Sequence, residues 1–259
     1  MSHILDTHLA SRQIYLHSES AHSLHSGGGE HLFEFENGIK VPGNMHLLVS
    51  MVEASIPNTQ YTINSNNDTI IIDSTTHNIT HGFYNVSTLT EHLTNLIPNI
   101  TASYSKTSGK FTFTRSSGTF SIGAGSSSYK VIGFNPLGQS SSGTTLVCEN
   151  IANLTGLTDC FVQILGLHNE NSKQHTIGRV AINVPFGFYT KTSSTYKFAI
   201  SNRYVQHYHV RMLDQNHNIV DFNNIPYSLV IQLDFIYNKE VKHHPDMSKR
   251  LEEAKNESD

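Results

Sequence analysis

The sequence predicts an all-β protein, an antiparallel β-sandwich with a small α+β insertion and a charged C-terminal tail. Three observations carry that expectation. Tyr227, Leu229, Ile231, Leu233, Phe235 and Tyr237 alternate with Ser228, Gln232 and Asp234, and period-two alternation marks a half-buried strand with one wet face, as antiparallel sheets have. Short strand-like segments separated by turn residues fill most of the chain, without the strand–helix–strand rhythm of a parallel sheet. One stretch changes period, with Val86, Leu89, Leu93, Leu96 and Ile97 at helical spacing.

The first candidate strands are residues 13–17, 32–35, 45–55, 60–63 and 69–73. Ser26, Gly27, Gly28 and Gly29 read as a loop, and Asn37-Gly38 and Pro42-Gly43 as turns. Pro57 closes the third strand, because proline donates no ladder hydrogen bond. The helix follows at 86–97, with Thr88 and Glu91 spaced as a capping box and Pro98 as its stop. Strands at 100–105, 110–114 and 119–122 form a meander with turns at Ser108-Gly109 and Gly118, and a Gly/Ser loop at 123–128 leads to 129–134.

Residues 76–142 thus read as an inserted α+β unit within a sandwich made of 1–75 and 143–237. Strands resume at 144–149, 160–165, 178–184, 196–201 and 206–214. At least eight strands outside the insert favour a jelly roll among sandwiches. Tyr208, Val210 and Met212 offer a matching apolar face before the turn at 215–218, and the final strand is expected to return and complete a sheet begun by RQIYLHS. Residues 238–259 are charged, nearly free of large apolar groups, and form the tail.

Composition excludes several classes. The 17 Lys and Arg are scattered and outnumbered by 21 Asp and Glu, for a net charge of −4, which argues against a nucleic-acid surface. Charged residues make up only 15% while Ser, Thr, Asn and Gln abound, so the exterior is polar and mostly uncharged. No basic segment followed by an apolar run opens the sequence, and no apolar stretch is long enough to span a bilayer, so neither a signal peptide nor a membrane span is expected. Cys148 and Cys160 have no zinc-type spacing and read as small core residues of a protein from a reducing compartment. The Asn-x-Ser/Thr triplets at Asn67, Asn78, Asn85, Asn99, Asn153 and Asn256 reflect composition rather than glycosylation in that setting.

The chemistry-bearing candidates each have a bland counterpart that outweighs them. His207 and His209 lie at i and i+2 of a strand and project from one face, and His22 and His25 flank the glycine loop with His17 and His31 nearby, but no carboxylate or thiolate stands at a diagnostic metal spacing. GAGSSS at 123–128 has no Lys in Walker position and reads as a flexible loop. Asp214 and Asp221 bracket a turn, where Asp accepts backbone hydrogen bonds. Phe186, Phe188 and Tyr189, beside Pro185 and Gly187, suit a sugar-stacking platform, yet core packing or a subunit contact outweighs it without tryptophan. There is no nucleophile elbow. No residue is assigned a catalytic, cofactor-binding or metal-binding role, and the protein is read as not an enzyme.

Several segments in order resemble a family. They are RQIYLHSES, FEFENGIKVP, HLLVSMVEASIPNTQYTIN, GFYNVSTLTEHLTNLI, GKFTFT, VIGF and VRMLDQNHNIVDFNNIPYSLVIQLDF, together covering most of residues 12–237. The series is similar to single jelly-roll penton and minor capsid proteins of virophages, Polinton-like viruses and nucleocytoplasmic large DNA viruses. The resemblance implies a structural virion protein that forms a homopentamer at icosahedral vertices and contacts the major capsid protein. It also implies an insert exposed to other minor capsid or fibre proteins or a host receptor, and no catalytic residues. For subunit contacts, the loop at Gly27, Gly28 and Gly29 and the tail from Asn238 are the expected segments. Another minor capsid protein and a lectin-like glycan-binding sandwich are the alternatives.

Overall fold

The first and last strands of the chain lie side by side. A computed structural model describes residues 8–165, 176–194, 196–200 and 204–237; the tail at 238–259 lies outside the described residues. Along the chain come β1 (His8–His17), a 3-10 turn (Ser18–Ser20), β2 (His22–Ser23), β3 (Glu30–Lys40), β4 (Met45–Pro57), β5 (Thr69–Ile72), β6 (Thr75–Asn78), and helix α1 (Val86–Leu96). Next are β7 (Ile100–Ser105), β8 (Lys110–Arg115), β9 (Ser121–Ile122), α2 (Tyr129–Ile132), β10 (Gln139–Ser140) and β11 (Thr145–Val147). The chain continues through β12 (Asp159–Leu165), β13 (Thr176–Ala181), β14 (Tyr189–Ser193), β15 (Phe198–Ile200), β16 (Tyr204–Leu213) and β17 (Ser228–Tyr237).

Two antiparallel sheets face each other. One has the order β1-β17-β4-β14, with β15 also on β4, and the other has β13-β12-β16-β3-β2. Counting β14 and β15 as one interrupted strand and setting aside the two-residue β2 and the segments between β4 and β12, the sandwich has a first strand on its eighth, a second on its seventh, a third on its sixth and a fourth on its fifth. That nested pairing is the connectivity of a long hairpin rolled into a jelly roll. The expected return of the last strand onto the first is present in register, with Ile14 opposite Ile231 and Leu16 opposite Leu229.

Inward positions of both sheets make one core, in which Leu47, Val49 and Met51 of β4 and Leu229, Ile231 and Leu233 of β17 meet Val162, Ile164, Tyr208 and Val210. A second core belongs to the segment between β4 and β12, built from Ile70, Ile72, Leu89, Leu93, Phe111, Phe113 and Phe134. It draws on Ile63, Ile70 and Ile72 before residue 76 and on Leu146 and Cys148 after residue 142. Helix α1 buries Leu89 and Leu93. Its cap lies one turn earlier than expected. The Asn85 side chain accepts from the backbone of Ser87 and Thr88, and the Thr88 hydroxyl answers the Asn85 backbone, so Asn85 rather than Thr88 opens the helix.

Other expectations fail for identifiable reasons. Asn37-Gly38 does not turn the chain but forms a bulge inside β3, where Val205 pairs with Ile39 and His207 with Glu34, leaving residues 35–38 opposite Gln206 alone. Gly38 takes φ +53°, and the Tyr204 ring lies where its Cβ would be. Residues 60–63 form no strand, because after Pro57 only Ile63 bridges, to Gly82. Residues 129–132 are helical, ended by Gly133 in the left-handed region. Strand β14 was not expected, since its sequence YTKTS has no apolar alternation.

The loop glycines are interior. A Cβ on Gly29 would lie 2.0 Å from the Val220 carbonyl oxygen, and one on Gly27 would strike Asp221. They let the β2–β3 loop pass beneath the chain leading into β17, with Phe222 N–H donating to the Gly27 carbonyl at 2.8 Å and Met212 N–H to that of Gly29 at 2.8 Å. The three glycines themselves are buried, while Leu24 and Ser26 beside them in the chain are exposed.

The outer face of β17 is also less wet than its alternation implies. Asp234 is fully buried there. Its carboxylate accepts from Lys197 Nζ at 2.6 Å, Gln232 Nε2 at 2.9 Å and the Ser11 hydroxyl, joining β1, β17 and the β14–β15 connection.

Replacing Gly29 by Ala is expected to destabilise the protein by about 1–3 kcal/mol in urea denaturation, the usual cost of overpacking. Gly43→Ala, whose new methyl meets nothing within 4 Å, is the neutral control. Asp234→Ala is expected to cost about 1.5–3 kcal/mol, the range for hydrogen bonds to a charged group, and an unchanged urea midpoint would show the ion pair to be idle.

Candidate functional site

Four connections converge at one end of the sandwich: the β2–β3 loop, the insert, the β13–β14 loop and the β16–β17 loop. The Thr59 hydroxyl donates to the Phe222 carbonyl at 2.8 Å, Asn58 Nδ2 to Val184 at 2.8 Å, and the Tyr189 hydroxyl to Pro226 at 2.9 Å. Across the same end the ring of Phe186 stacks on Phe83 at 4.3 Å and lies 6.3 Å from Tyr61. Phe186 is therefore a joint between the sandwich and the insert, while Phe188 and Tyr189 stay exposed.

Beside this joint is a cleft of about 270 Å³ between the insert and the β16–β17 turn. One wall carries Gln60, Tyr61, Thr62 and Asn66, another Tyr129, Lys130 and Asn153, and the third the turn from Asp214 to Asn218. Asp214 is buried and shapes that turn, accepting from Asn216 N–H at 2.8 Å, Asn218 N–H at 2.9 Å and Asn218 Nδ2 at 3.3 Å. Asp221 does the same for Asn223 N–H at 2.7 Å. Both acids thus build turns, as Asp in such positions does. Gln60 Oε1 and Thr62 Oγ1 are buried without a hydrogen-bond partner, a state that costs about 1–3 kcal/mol per group. Nothing in the sequence marked this cleft, because its residues are ordinary loop amides and hydroxyls until the fold gathers them.

The remaining candidates have structural roles. The hydroxyls of GAGSSS bind β5 like a missing strand, with Ser126 Oγ accepting from Ile71 N–H at 2.9 Å, Ser127 Oγ from Thr69 N–H at 2.9 Å and Ser128 Oγ donating to the Thr69 carbonyl at 2.7 Å. This loop is tied down rather than flexible. Asn67, Asn85 and Asn153 use their side chains in local turns and the helix cap. Cys148 and Cys160 are buried free thiols, and burial pushes both upward, Cys148 to about 12.

His207 and His209 face carboxylates on β3. Burial works to raise the Glu30 carboxyl, but hydrogen bonds from Arg211 at 2.7 Å and His209 at 2.7 Å hold it below its ordinary value. His207 pairs in register with Glu34, which is 4.0 Å from His22. His25 Nδ1 accepts from Gly27 N–H at 3.2 Å, and His17 lies 3.7 Å from Glu19. Among the described residues no group of three or more His, Cys, Asp or Glu is placed to hold a metal ion, and no helix is long and apolar enough to cross a membrane. Among the histidines of the described residues His31 is the buried one, its Nδ1 3.1 Å from the Tyr227 hydroxyl, and desolvation lowers its pKa below 6.5.

No family model matches the chain, and no curated protein matches it. Among solved structures that match is the selenomethionine-labelled mavirus penton protein, 10% identical, with a TM-score of 0.44 over 88% of this chain and 100% of that one. At this identity and TM-score the fold assignment rests on the chain's own strand connectivity.

Because desolvation lowers the His31 pKa in the folded protein, its contribution to stability is complete above the unfolded value near 6.5 and declines as pH falls below it. The melting temperature is expected to drop as pH falls below 6.5 in the native protein and to drop less in His31→Gln, which keeps a partner for Tyr227 without titrating. Parallel curves for the two proteins would remove His31 from the acid response.

Proposed function

We propose that the chain is a structural capsid protein, a penton whose five copies form a ring at an icosahedral vertex and contact the surrounding major capsid proteins. The observation that carries this reading is the single jelly roll with a folded insert between its third and fourth strands, joined to the order of sequence segments that resembles such proteins. Jelly rolls serve capsids, lectins and cupins alike. Here the inner faces of the sheets are packed with apolar side chains, which leaves no cupin-like interior site. The reading places the protein in the virion after assembly in the infected cell, with the insert projecting from its end of the sandwich toward host or fibre.

A closed ring needs a head-to-tail interface made of two different patches on one subunit. The sandwich offers aromatic groups of the kind enriched in interfaces at opposite edges of one sheet. Tyr15 on edge strand β1 is 76% exposed. At the other edge Tyr196, before β15, is 66% exposed and packs edge-on against Phe198 at 4.5 Å. The sparse charge of the exterior suits such packing.

Light scattering of purified protein is expected to give near five times the 28.9 kDa chain mass. Tyr15→Glu and Tyr196→Glu are each expected to reduce it to the chain mass with unchanged circular dichroism. A native protein that stays monomeric across concentrations would overturn the self-assembling ring.

A further inference from the structure

We infer that the cleft between the insert and the β16–β17 turn binds a neutral saccharide of mono- or disaccharide size. This goes beyond the vertex reading and does not rest on it.

The dimensions come first. A volume of about 270 Å³ lies at the lower edge of the ~300–1,000 Å³ of small-ligand sites, which suits one or two sugar rings rather than a peptide segment. The chemistry of the walls then narrows the ligand. Exposed amides of Asn66 and Asn216 enter from two separate segments, and Asn153, whose oxygen already accepts from Thr155, adds its Nδ2 from a third. A carboxamide donates from nitrogen and accepts at oxygen, the pattern that vicinal hydroxyls complement.

The charges argue against an anion or cation as ligand. The Asp214 carboxylate is occupied by its own turn amides. Lys130 is the cleft's lone basic side chain among its lining residues, and its Nζ lies 5.8 Å from the centroid of the Tyr129 ring. A single Lys without Arg, a glycine nest or a second cation is a poor phosphate or carboxylate site.

The aromatic part of the lining points to a ring-shaped, hydroxyl-rich occupant. Tyr61 and Tyr129 line the cleft as half-buried rings, whose apolar faces pack against the C–H face of a sugar while their hydroxyls stay in the polar layer.

The test uses the full chain and a panel of neutral disaccharides, lactose, maltose, mannobiose and chitobiose, followed by saturation-transfer NMR and titration calorimetry. Inorganic phosphate and sialyllactose serve as charged probes. At least one neutral disaccharide is expected to bind, with affinity falling about tenfold or more in Asn216→Ala and in Tyr61→Ala, and with melting temperature unchanged in Asn216→Ala, whose side chain is exposed. Tyr61→Phe, which keeps the ring, is expected to retain most of the affinity. Binding of no neutral sugar, binding indifferent to Asn216→Ala and Tyr61→Ala, or preference for phosphate or sialyllactose would overturn the assignment. A monomeric protein that still binds the sugar would refute the ring and leave the cleft standing.

Discussion

The antiparallel pairing of β1 with β17 holds the architecture together, because the other sandwich pairs nest inside it. Strands β3 and β16, then β4 with β14 and β15, then β12 with β13 lie at successively smaller separations along the chain. Joining the two ends fixes the register of β17, and β17 in turn lies on β4 in the middle of its sheet. A slip of one residue there would turn Leu229, Ile231 and Leu233 out of the core. The buried Asp234 guards against such a slip from the opposite face, since its carboxylate reaches Ser11 and Lys197 only in the native register.

The strands that face the core were legible in the sequence. Period-two alternation is strong in β4, β16 and β17 because one face of each is packed against the other sheet. The matching face read in the sequence was that of Tyr208, Val210 and Met212, and the place of β17 beside β1 came from its return to the sheet that RQIYLHS begins. What escaped was structure made by polar or small residues. YTKTS forms an edge strand whose ladder requires no apolar alternation, and Asn37-Gly38 has turn chemistry that a bulge uses equally well. The three glycines at 27–29 look like a mobile surface loop until Val220 and Asp221 are brought against them. The serines at 126–128 act through hydroxyl bonds to β5, contacts for which local sequence carries no period.

The candidate site was less legible for the same reason. The aromatic residues at 186–189 were visible as a group, but their division into a half-buried joint and an exposed pair depends on Phe83 and Tyr61, which come from the segment between β4 and β12. Asp214 was correctly read as a turn former, yet the cleft above that turn exists only because the fold places residues 60–66 and 129–130 across from it. His207 and His209 do share a face, with Glu34 opposite His207 in register and Glu30 reaching His209 diagonally across the strands.

The arrangement of partners has a consequence for how the chain is made. Every strand of the segment between β4 and β12 finds its partners between residues 69 and 147, so its two sheets are complete in the emerging polypeptide long before the sandwich. By contrast β1 has β17 as its sheet neighbour and must wait for residue 237. For that interval both of its edges are open, and Ser11, Arg12 and Gln13, the polar residues along it, oppose unwanted strand exchange with another copy.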